Sequence, residues 1–310
     1  MITRNNYTNS GKPVQKLSII GFGEAGQTLS RCWREQCPDL EILVYDIKTD
    51  DKDHSIAATK WKEYSDIGVT GCDSLAKAIG LSSTVFSFVT ADQAYEAAKG
   101  AAEVMAENTL YFDCNSCAPS SKRAAAKAIE KAGKRYVDTA VMAPVNPDPL
   151  TTPFLICGPH SKDALQLLSI LGLNSKIVPG DIGRASSIKM MRSLMIKGLE
   201  ALVLESLLAA RKAGVEEEVI ASLDASFPGL DWKAHSAYCI ERSTAHGIRR
   251  AAEVAEVAKT IDDLGLENNM SLAIVKWQQA IGELGLPSGK PDLGARADAI
   301  LGALIKGATP

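Results

Sequence analysis

A glycine-rich hexapeptide near the N-terminus is the first group of residues whose types and spacing point to chemistry. It reads Gly21-Phe22-Gly23-Glu24-Ala25-Gly26, a G-x-G-x-x-G pattern. Between a strand and a helix, such a turn brings backbone N–H groups against the pyrophosphate of a dinucleotide. A turn that only packs is the alternative, because this pattern alone is a weak signal. The order of strand, turn, helix and acid favours a dinucleotide site.

The acid that this pattern requires is Asp46, twenty residues after Gly26. It follows the second predicted strand, where a carboxylate accepts hydrogen bonds from the ribose hydroxyls of a dinucleotide. Its charge would repel the 2′-phosphate of NADP. We therefore expect NAD as the cofactor and NADP as the less favoured one, with Lys48 as the feature that keeps NADP open.

The elements that must position these residues alternate over the first half of the chain. Short apolar runs predict strands, and the mainly Ala-rich stretches between them predict helices. The predicted strands are residues 17–20, Glu41–Tyr45, 84–89, 110–112, 135–137, Phe154–Cys157 and 176–178, and the helices 27–35, 92–105, 120–131 and 162–171. This alternation predicts a doubly wound, parallel α/β sheet of the Rossmann type.

The second half of the chain carries helical patterns only. Residues 188–213 form one apolar-periodic stretch without proline, which predicts a helix long enough to connect two domains. Further helices are predicted over residues 217–227, 232–242, 249–264, 270–284 and 292–305. A chain of 310 residues exceeds what one core usually holds. We therefore divide it into a flexible tail (1–15), an NAD(P)-binding Rossmann domain (16–185) and an all-α substrate and dimerisation domain (186–310).

Composition and charge exclude several classes of partner. The net charge is −3 and basic residues are not clustered, which argues against binding of nucleic acid or an anionic membrane. No apolar stretch approaches the roughly 20 residues of a membrane span, and the polar N-terminus does not resemble a signal peptide. Cys114 and Cys117 have C-x-x-C spacing without a second ligand pair, so no metal site is predicted. We expect a cytoplasmic protein with reduced cysteines and a small-molecule substrate.

Four segments together resemble the β-hydroxyacid dehydrogenases, a family that includes 3-hydroxyisobutyrate dehydrogenase and, more distantly, 6-phosphogluconate dehydrogenase. They are the glycine turn and residues 113–119 (DCNSCAP), 137–141 (VDTAV) and 183–189 (GRASSIK). The resemblance covers residues 17–213. The stretch from residue 223 to 250 resembles a variant C-terminal domain of unknown function found on some members.

The resemblance implies an oxidoreductase that transfers a hydride between nicotinamide and the alcohol carbon of a hydroxy acid or related alcohol. It implies Lys189 as the general acid and base, near the start of the long helix. An isolated lysine on a helix would otherwise be read as a solvated surface residue. The resemblance also implies that Val89, Thr90 and Ala91 form the loop beneath the cofactor and that Asn115 lies beside it.

The substrate half of the family pattern is altered in this sequence. Asn115, followed by Ser116, stands where the family has serine, and Met142-Ala143-Pro144 replaces a donor segment, although proline has no N–H. Arg192 and Ser193 replace two asparagines. We expect these residues to contact a different substrate by the same reaction. For Arg192, an anion-binding role and a surface ion pair both remain open.

Aromatic and basic residues of the helical domain are further substrate candidates: Trp232, His235, Tyr238, His246 and Arg250. Packing roles are the alternative for each ring. Rival functions are an imine reductase, a decarboxylating dehydrogenase, or a dinucleotide-binding protein without turnover. The long apolar helix and the all-α domain also predict a homodimer or higher homo-oligomer.

Overall fold

All seven predicted strands form, and they belong to one sheet. The computed structural model describes residues 14–287, 289 and 292–307; the predicted flexible tail, residues 1–15, lies outside them except for its last two residues. Within these ranges the strands are β1 (Lys16–Ile20), β2 (Glu41–Tyr45), β3 (Thr70–Gly71), β4 (Thr84–Ser87), β5 (Leu110–Asp113), β6 (Arg135–Val141), β7 (Phe154–Cys157) and β8 (Ser175–Ile177).

The strand order is β3-β2-β1-β4-β5-β6-β7-β8, which contains the doubly wound order around β1 and β4. The α/β prediction is therefore confirmed. The sheet is parallel except at one position, where β7 runs antiparallel to β6. Residues 142–153 connect the two strands without a helix, and parallel neighbours need a crossover that is usually helical.

The sheet is covered on both faces, as alternation along each strand requires. Ile19, Phe86 and Phe112 belong to one apolar core. Their neighbours Ile20, Val85 and Tyr111 belong to a second. The helices that cover these cores are α1 (Glu24–Gln36), α2 (His54–Ile67), α3 (Leu75–Ile79), α4 (Ala94–Val104), α5 (Pro119–Lys131) and α6 (Ser161–Ile170).

The chain divides into two compact units after Lys189, within α7 (Arg184–Ala213), a helix of 30 residues. The second unit continues with α8 (Glu216–Ser226), α9 (Trp232–Asp263), α10 (Asn269–Glu283) and α11 (Leu293–Gly307). It is all-α, as predicted. Its main core includes Leu204, Leu207, Ile240 and Ile281.

Two helices predicted over residues 232–242 and 249–264 are in fact the single helix α9 of 32 residues. The prediction was wrong because Gly247 weakens the helical pattern. In the structure Gly247 lies directly against Gly282 of α10, where an added Cβ would come 2.7 Å from the Gly282 Cα. The glycine therefore marks a close crossing of two helices, and α9 continues through it.

None of the helices in the described part of the chain combines the length and the apolar character needed to cross a membrane.

Candidate functional site

The glycine turn between β1 and α1 uses its three glycines in three ways. Gly21 has a φ of +84°, and a Cβ there would lie 2.5 Å from the Phe88 carbonyl oxygen. A Cβ on Gly26 would lie 2.8 Å from the Gly21 carbonyl oxygen. Gly23 is exposed, and apart from its two chain neighbours no heavy atom of the described residues lies within 4 Å of its Cβ position. The first and third glycines allow close packing, and the second leaves open space above the turn.

This open space lies at the N-terminus of α1. Gly23 is the N-cap residue, and no side chain caps the helix. The first backbone N–H groups of a helix have no acceptor within the helix, and the dipole makes this end positive. The turn therefore offers what a pyrophosphate needs: donors, positive potential and room for close approach.

Asp46 follows β2 and is almost buried, with 9% of its surface exposed. Its Oδ2 accepts a hydrogen bond from the Phe22 N–H at 2.7 Å, and its Oδ1 accepts one from the Lys48 N–H at 3.0 Å. The carboxylate therefore orders the glycine turn as well as ending β2. Its charge lies beside the turn, where a ribose would be bound.

A shallow hollow beside Asp46 contains, besides Lys48, residues that no sequence pattern indicated. It is lined by Lys48, in the 3₁₀ turn after β2, and by residues of α2: Ser55, Ile56, Thr59, Lys60 and Glu63. The Lys60 Nζ donates to the Phe22 carbonyl oxygen at 2.9 Å and forms an ion pair with Glu63. Lysine is seldom buried, so this second support of the glycine turn could not be read from residue type.

Asn115 follows β5 and is buried. Its Nδ2 donates to Asp113 Oδ1 at 2.8 Å and to Ser87 Oγ at 3.0 Å, and its Oδ1 accepts from the Val89 N–H at 2.7 Å. Both amide hydrogens thus have acceptors within the protein. Asn115 fixes the loop after β4, which begins at the residues expected beneath a cofactor.

The other predicted residues of the first unit lie at the same edge of the sheet. Thr90 is exposed and precedes a 3₁₀ turn over Ala91–Gln93. Ser116 is half-buried after β5, and the Met142 N–H, after β6, donates to the Pro153 carbonyl oxygen at 2.9 Å. Because β1, β4, β5 and β6 are parallel, their carboxyl ends meet at one edge. This is the edge at which doubly wound sheets bind ligands.

Lys189 is half-buried in the second turn of α7. Burial raises the pKa of the Cys114 thiol to about 12, while the charges of Lys122 and Lys189 act in the opposite direction. Asp138 of β6 accepts hydrogen bonds from the Gly183 N–H at 2.9 Å and the Ser186 N–H at 3.3 Å, which holds the start of α7 at this edge. The structure brings the predicted catalytic lysine to the same edge of the sheet as Asn115.

A buried ion cluster beneath this edge was missed by sequence reasoning. Lys122 on α5 lies between Asp113 and Asp138, all three with 1% or less of the side chain exposed. One signal could have found it. Lys122, Ala125, Ala126 and Ile129 share the inward face of α5, so a lysine occupies a core position of an amphipathic helix.

The remaining substrate candidates belong to the second unit. Arg192 is exposed and Ser193 buried on α7. On α9 the Trp232 and His235 rings contact edge to face, with their centroids 5.8 Å apart. His235 stacks on Tyr238, with a centroid distance of 6.3 Å. These rings form a continuous aromatic group along one helix.

Two further candidates on α9 lie among charged residues. Arg250 is buried and its Nη1 lies 2.7 Å from Glu200 Oε2. Burial raises the pKa of Glu200 and Arg250 opposes this. Burial and the nearby cations Arg242 and Arg249 lower the pKa of His246. Arg250 therefore has a structural partner within its own unit.

Two family models match the chain. Residues 16–160 match the NAD binding domain of 6-phosphogluconate dehydrogenase, and residues 210–281 match a domain of unknown function, DUF1932. The first unit therefore has the fold of an NAD(P)-binding domain. The two matches correspond to the two halves that the resemblance indicated.

Solved structures similar to the chain cover almost all of it. A conserved hypothetical protein from Sinorhizobium meliloti is 32% identical over 97% of this chain and 100% of that one, with a TM-score of 0.73. A conserved protein of unknown function, described as structurally similar to 3-hydroxyacid dehydrogenases, is 27% identical over 88% and 100%, with a TM-score of 0.64. A Mycobacterium tuberculosis 3-hydroxyisobutyrate dehydrogenase shares the fold at 15% identity over 93% and 99%, with a TM-score of 0.68.

Proposed function

Because the chain belongs to the 3-hydroxyacid dehydrogenase-like proteins that join the NAD-binding domain of 6-phosphogluconate dehydrogenase to DUF1932, we propose that it is a nicotinamide-dependent oxidoreductase acting on the CH–OH group of a hydroxy acid or related alcohol. One observation carries this proposal. The glycine turn, open at Gly23, and the start of the helix that carries Lys189 lie at the same edge of one sheet, where Asp138 of β6 accepts from the Gly183 and Ser186 N–H groups.

The residues at this edge fit a dinucleotide. The open position at Gly23 and the uncapped N-terminus of α1 would hold the pyrophosphate, and Asp46 would accept hydrogen bonds from the ribose. Val89, Thr90 and Ala91 would lie along the other half of the cofactor. When bound, the nicotinamide supplies the acceptor or donor of the hydride.

Lys189 would move the proton that accompanies the hydride. In oxidation its Nζ accepts the proton of the substrate hydroxyl, and in reduction it returns a proton to the same oxygen. This role needs a lysine placed beside the cofactor and held in one position. Hydrogen bonds at the first turn of α7 support this role, because Asp138 Oδ2 accepts from the Gly183 N–H at 2.9 Å and lies 3.2 Å from Ser186 Oγ.

NAD is the cofactor we propose over NADP. The carboxylate of Asp46 lies beside the glycine turn, where it would accept hydrogen bonds from a ribose and repel a 2′-phosphate. Lys60 and Glu63 form an ion pair without net charge, and Lys48 is the exposed cation of the hollow. We expect kcat/KM with NAD to exceed that with NADP by about tenfold or more.

The substrate panel that tests the proposal contains hydroxy acids, aryl-substituted hydroxy acids and polyol acids, with reduction of NAD and NADP followed in parallel. We expect reduction of NAD with at least one class. Activity on imines without alcohol oxidation would replace the proposal with imine reduction, and release of CO₂ would identify a decarboxylating dehydrogenase. Tight NADH binding without any turnover would identify a binding protein.

The Lys189→Met variant tests the catalytic assignment. NADH affinity should persist, whereas hydride transfer in a single turnover should slow by a factor of about 100 or more. Lys212→Met, at an exposed position of the same helix, is the matched control and should retain the wild-type rate. An unchanged single-turnover rate in Lys189→Met would refute the role of this lysine.

A further inference from the structure

The lysine buried beneath the carboxyl ends of β5 and β6 has no part in the proton transfer proposed above. The Lys122 Nζ donates to Asp113 Oδ1 at 2.8 Å and to the Asp113 carbonyl oxygen at 2.6 Å, and it lies 3.8 Å from Asp138 Oδ1. Burial lowers the pKa of Lys122, but the two carboxylates outweigh it and hold the pKa above its ordinary value. Lys122 therefore stays charged and holds both carboxylates.

Asp113 connects Lys122 to the loop after β4. Its Oδ1 also accepts from Asn115 Nδ2 at 2.8 Å, and its Oδ2 accepts from the Tyr136 hydroxyl at 2.7 Å. Asn115 Oδ1 in turn accepts from the Val89 N–H at 2.7 Å. Three buried side chains, those of Lys122, Asp113 and Asn115, thus lead to the backbone expected beneath the cofactor, and Tyr136 supports Asp113 from the side.

Asp138 connects Lys122 to the start of α7. Its Oδ2 accepts from the Gly183 N–H at 2.9 Å and from the Ser186 N–H at 3.3 Å. Ser186 is one turn of helix before Lys189, so the position of Asp138 fixes the backbone that carries the lysine. Gly183 has a φ of +104°, a backbone conformation that favours glycine, so the chain enters α7 in a conformation that other residues rarely adopt.

The hydrogen bonds that lead from Lys122 through Asp113 and through Asp138 reach one half of the cofactor only. Asp46 follows β2, on one side of β1, whereas Val89 and Asn115 follow β4 and β5, on the other side. A dinucleotide with its pyrophosphate at the glycine turn and one ribose at Asp46 therefore extends its nicotinamide half toward β4 and β5. The ion cluster lies beneath this half.

We propose that Lys122 is a positioning residue: by holding Asp113 and Asp138 together, it fixes the Val89 loop and the first turn of α7 relative to each other. Lys189 is thereby held beside the nicotinamide. The inference rests on the proposed function for the cofactor and for the role of Lys189. It adds a residue that contacts neither the cofactor nor the substrate.

The test compares affinities for NADH and for ADP, which lacks the nicotinamide and its ribose. Lys122→Met alone leaves two carboxylates buried without their cation and can fail to fold. The Lys122→Met/Asp113→Asn double variant removes one charge of each sign and preserves the shape of residue 113. Lys127→Met, at an exposed position of α5, is the matched control.

In the folded double variant we expect NADH affinity to fall about tenfold, because the loss of positioning hydrogen bonds has this magnitude. ADP affinity should stay within about twofold, since its contacts would lie at the glycine turn and at Asp46. Lys127→Met should match the wild type for both ligands. A double variant with the wild-type ratio of NADH to ADP affinity would overturn the proposal.

Hydrogen exchange supplies a measurement without ligand or substrate. Amide exchange at Val89 and at residues 186–189 should accelerate about tenfold or more in the double variant, while β2 keeps its wild-type exchange. Unchanged exchange at both segments would also overturn the proposal. If the wild-type protein binds NADH but oxidises no alcohol, the proposed function alone is refuted. If the wild-type protein binds no dinucleotide, the proposed function and the role of Lys122 are both refuted.

Discussion

At the scale of single residues, position in the structure changes what each candidate does. Asn115 stands where the family has a substrate-binding serine, yet both of its amide hydrogens bond to protein acceptors. The role of the glycines could be predicted, because it depends on local backbone geometry. The roles of Asn115 and Lys122 could not, because their partners are distant in sequence and only folding brings them together.

Arg250 is a residue for which the structure favours stability over substrate contact. The family resemblance implies a place beside the substrate for it, whereas its ion pair with Glu200 is buried at both ends. Removing one partner of a buried pair leaves the other charge without compensation. We expect Arg250→Met to lower the free energy of unfolding by about 3–5 kcal/mol, measured by chemical denaturation.

The Glu200→Leu/Arg250→Met double variant should recover most of this loss, because no charge then remains buried. Arg249→Met, at the exposed neighbouring position, should change stability by no more than about 0.5 kcal/mol. An Arg250→Met variant with wild-type stability and weakened substrate binding would return the residue to the substrate pocket.

At the scale of elements, apolar periodicity predicted seven strands of the sheet and most of the helices. It did not give β3, α2 or α3, where the apolar pattern is weak: α2 contains only three buried residues, one of them Lys60. It also divided α9 at Gly247. In each case contacts with other elements decide the local structure, and one segment alone does not carry that information.

The crossing of α9 and α10 gives a prediction at this scale. A Cβ on Gly247 would come 2.5 Å from the Gln278 carbonyl oxygen and 2.7 Å from Gly282, so Gly247→Ala must separate the two helices. We expect the free energy of unfolding to fall by about 1–3 kcal/mol.

The control for this prediction is Gly302→Ala on α11, an exposed helical glycine. Outside its own helix backbone, no atom of the described residues lies within 4 Å of its Cβ position. It should stabilise the protein by up to about 1 kcal/mol, because alanine has the higher helix propensity. Equal effects at positions 247 and 302 would contradict the close crossing.

At the scale of the whole molecule, the sequence predicted an α/β half, an all-α half and the helix that runs from one into the other. This succeeded because each half has a uniform pattern of periodicity over many residues. The homodimer stays a prediction. We expect two copies to associate through exposed apolar side chains of α7, among them Met195 and Leu202. Sedimentation measures whether the protein self-associates.

Binding of NADH to a Gly23→Val variant tests the central claim most directly, because it requires no knowledge of the substrate. The added side chain enters open space at the glycine turn, so the fold should be kept while the pyrophosphate is excluded. Gly302→Val, also into open space, is the matched control. We predict that the wild type and the control bind NADH and that Gly23→Val loses affinity by about 100-fold or more. Equal NADH affinity in all three proteins would contradict a dinucleotide site at this turn.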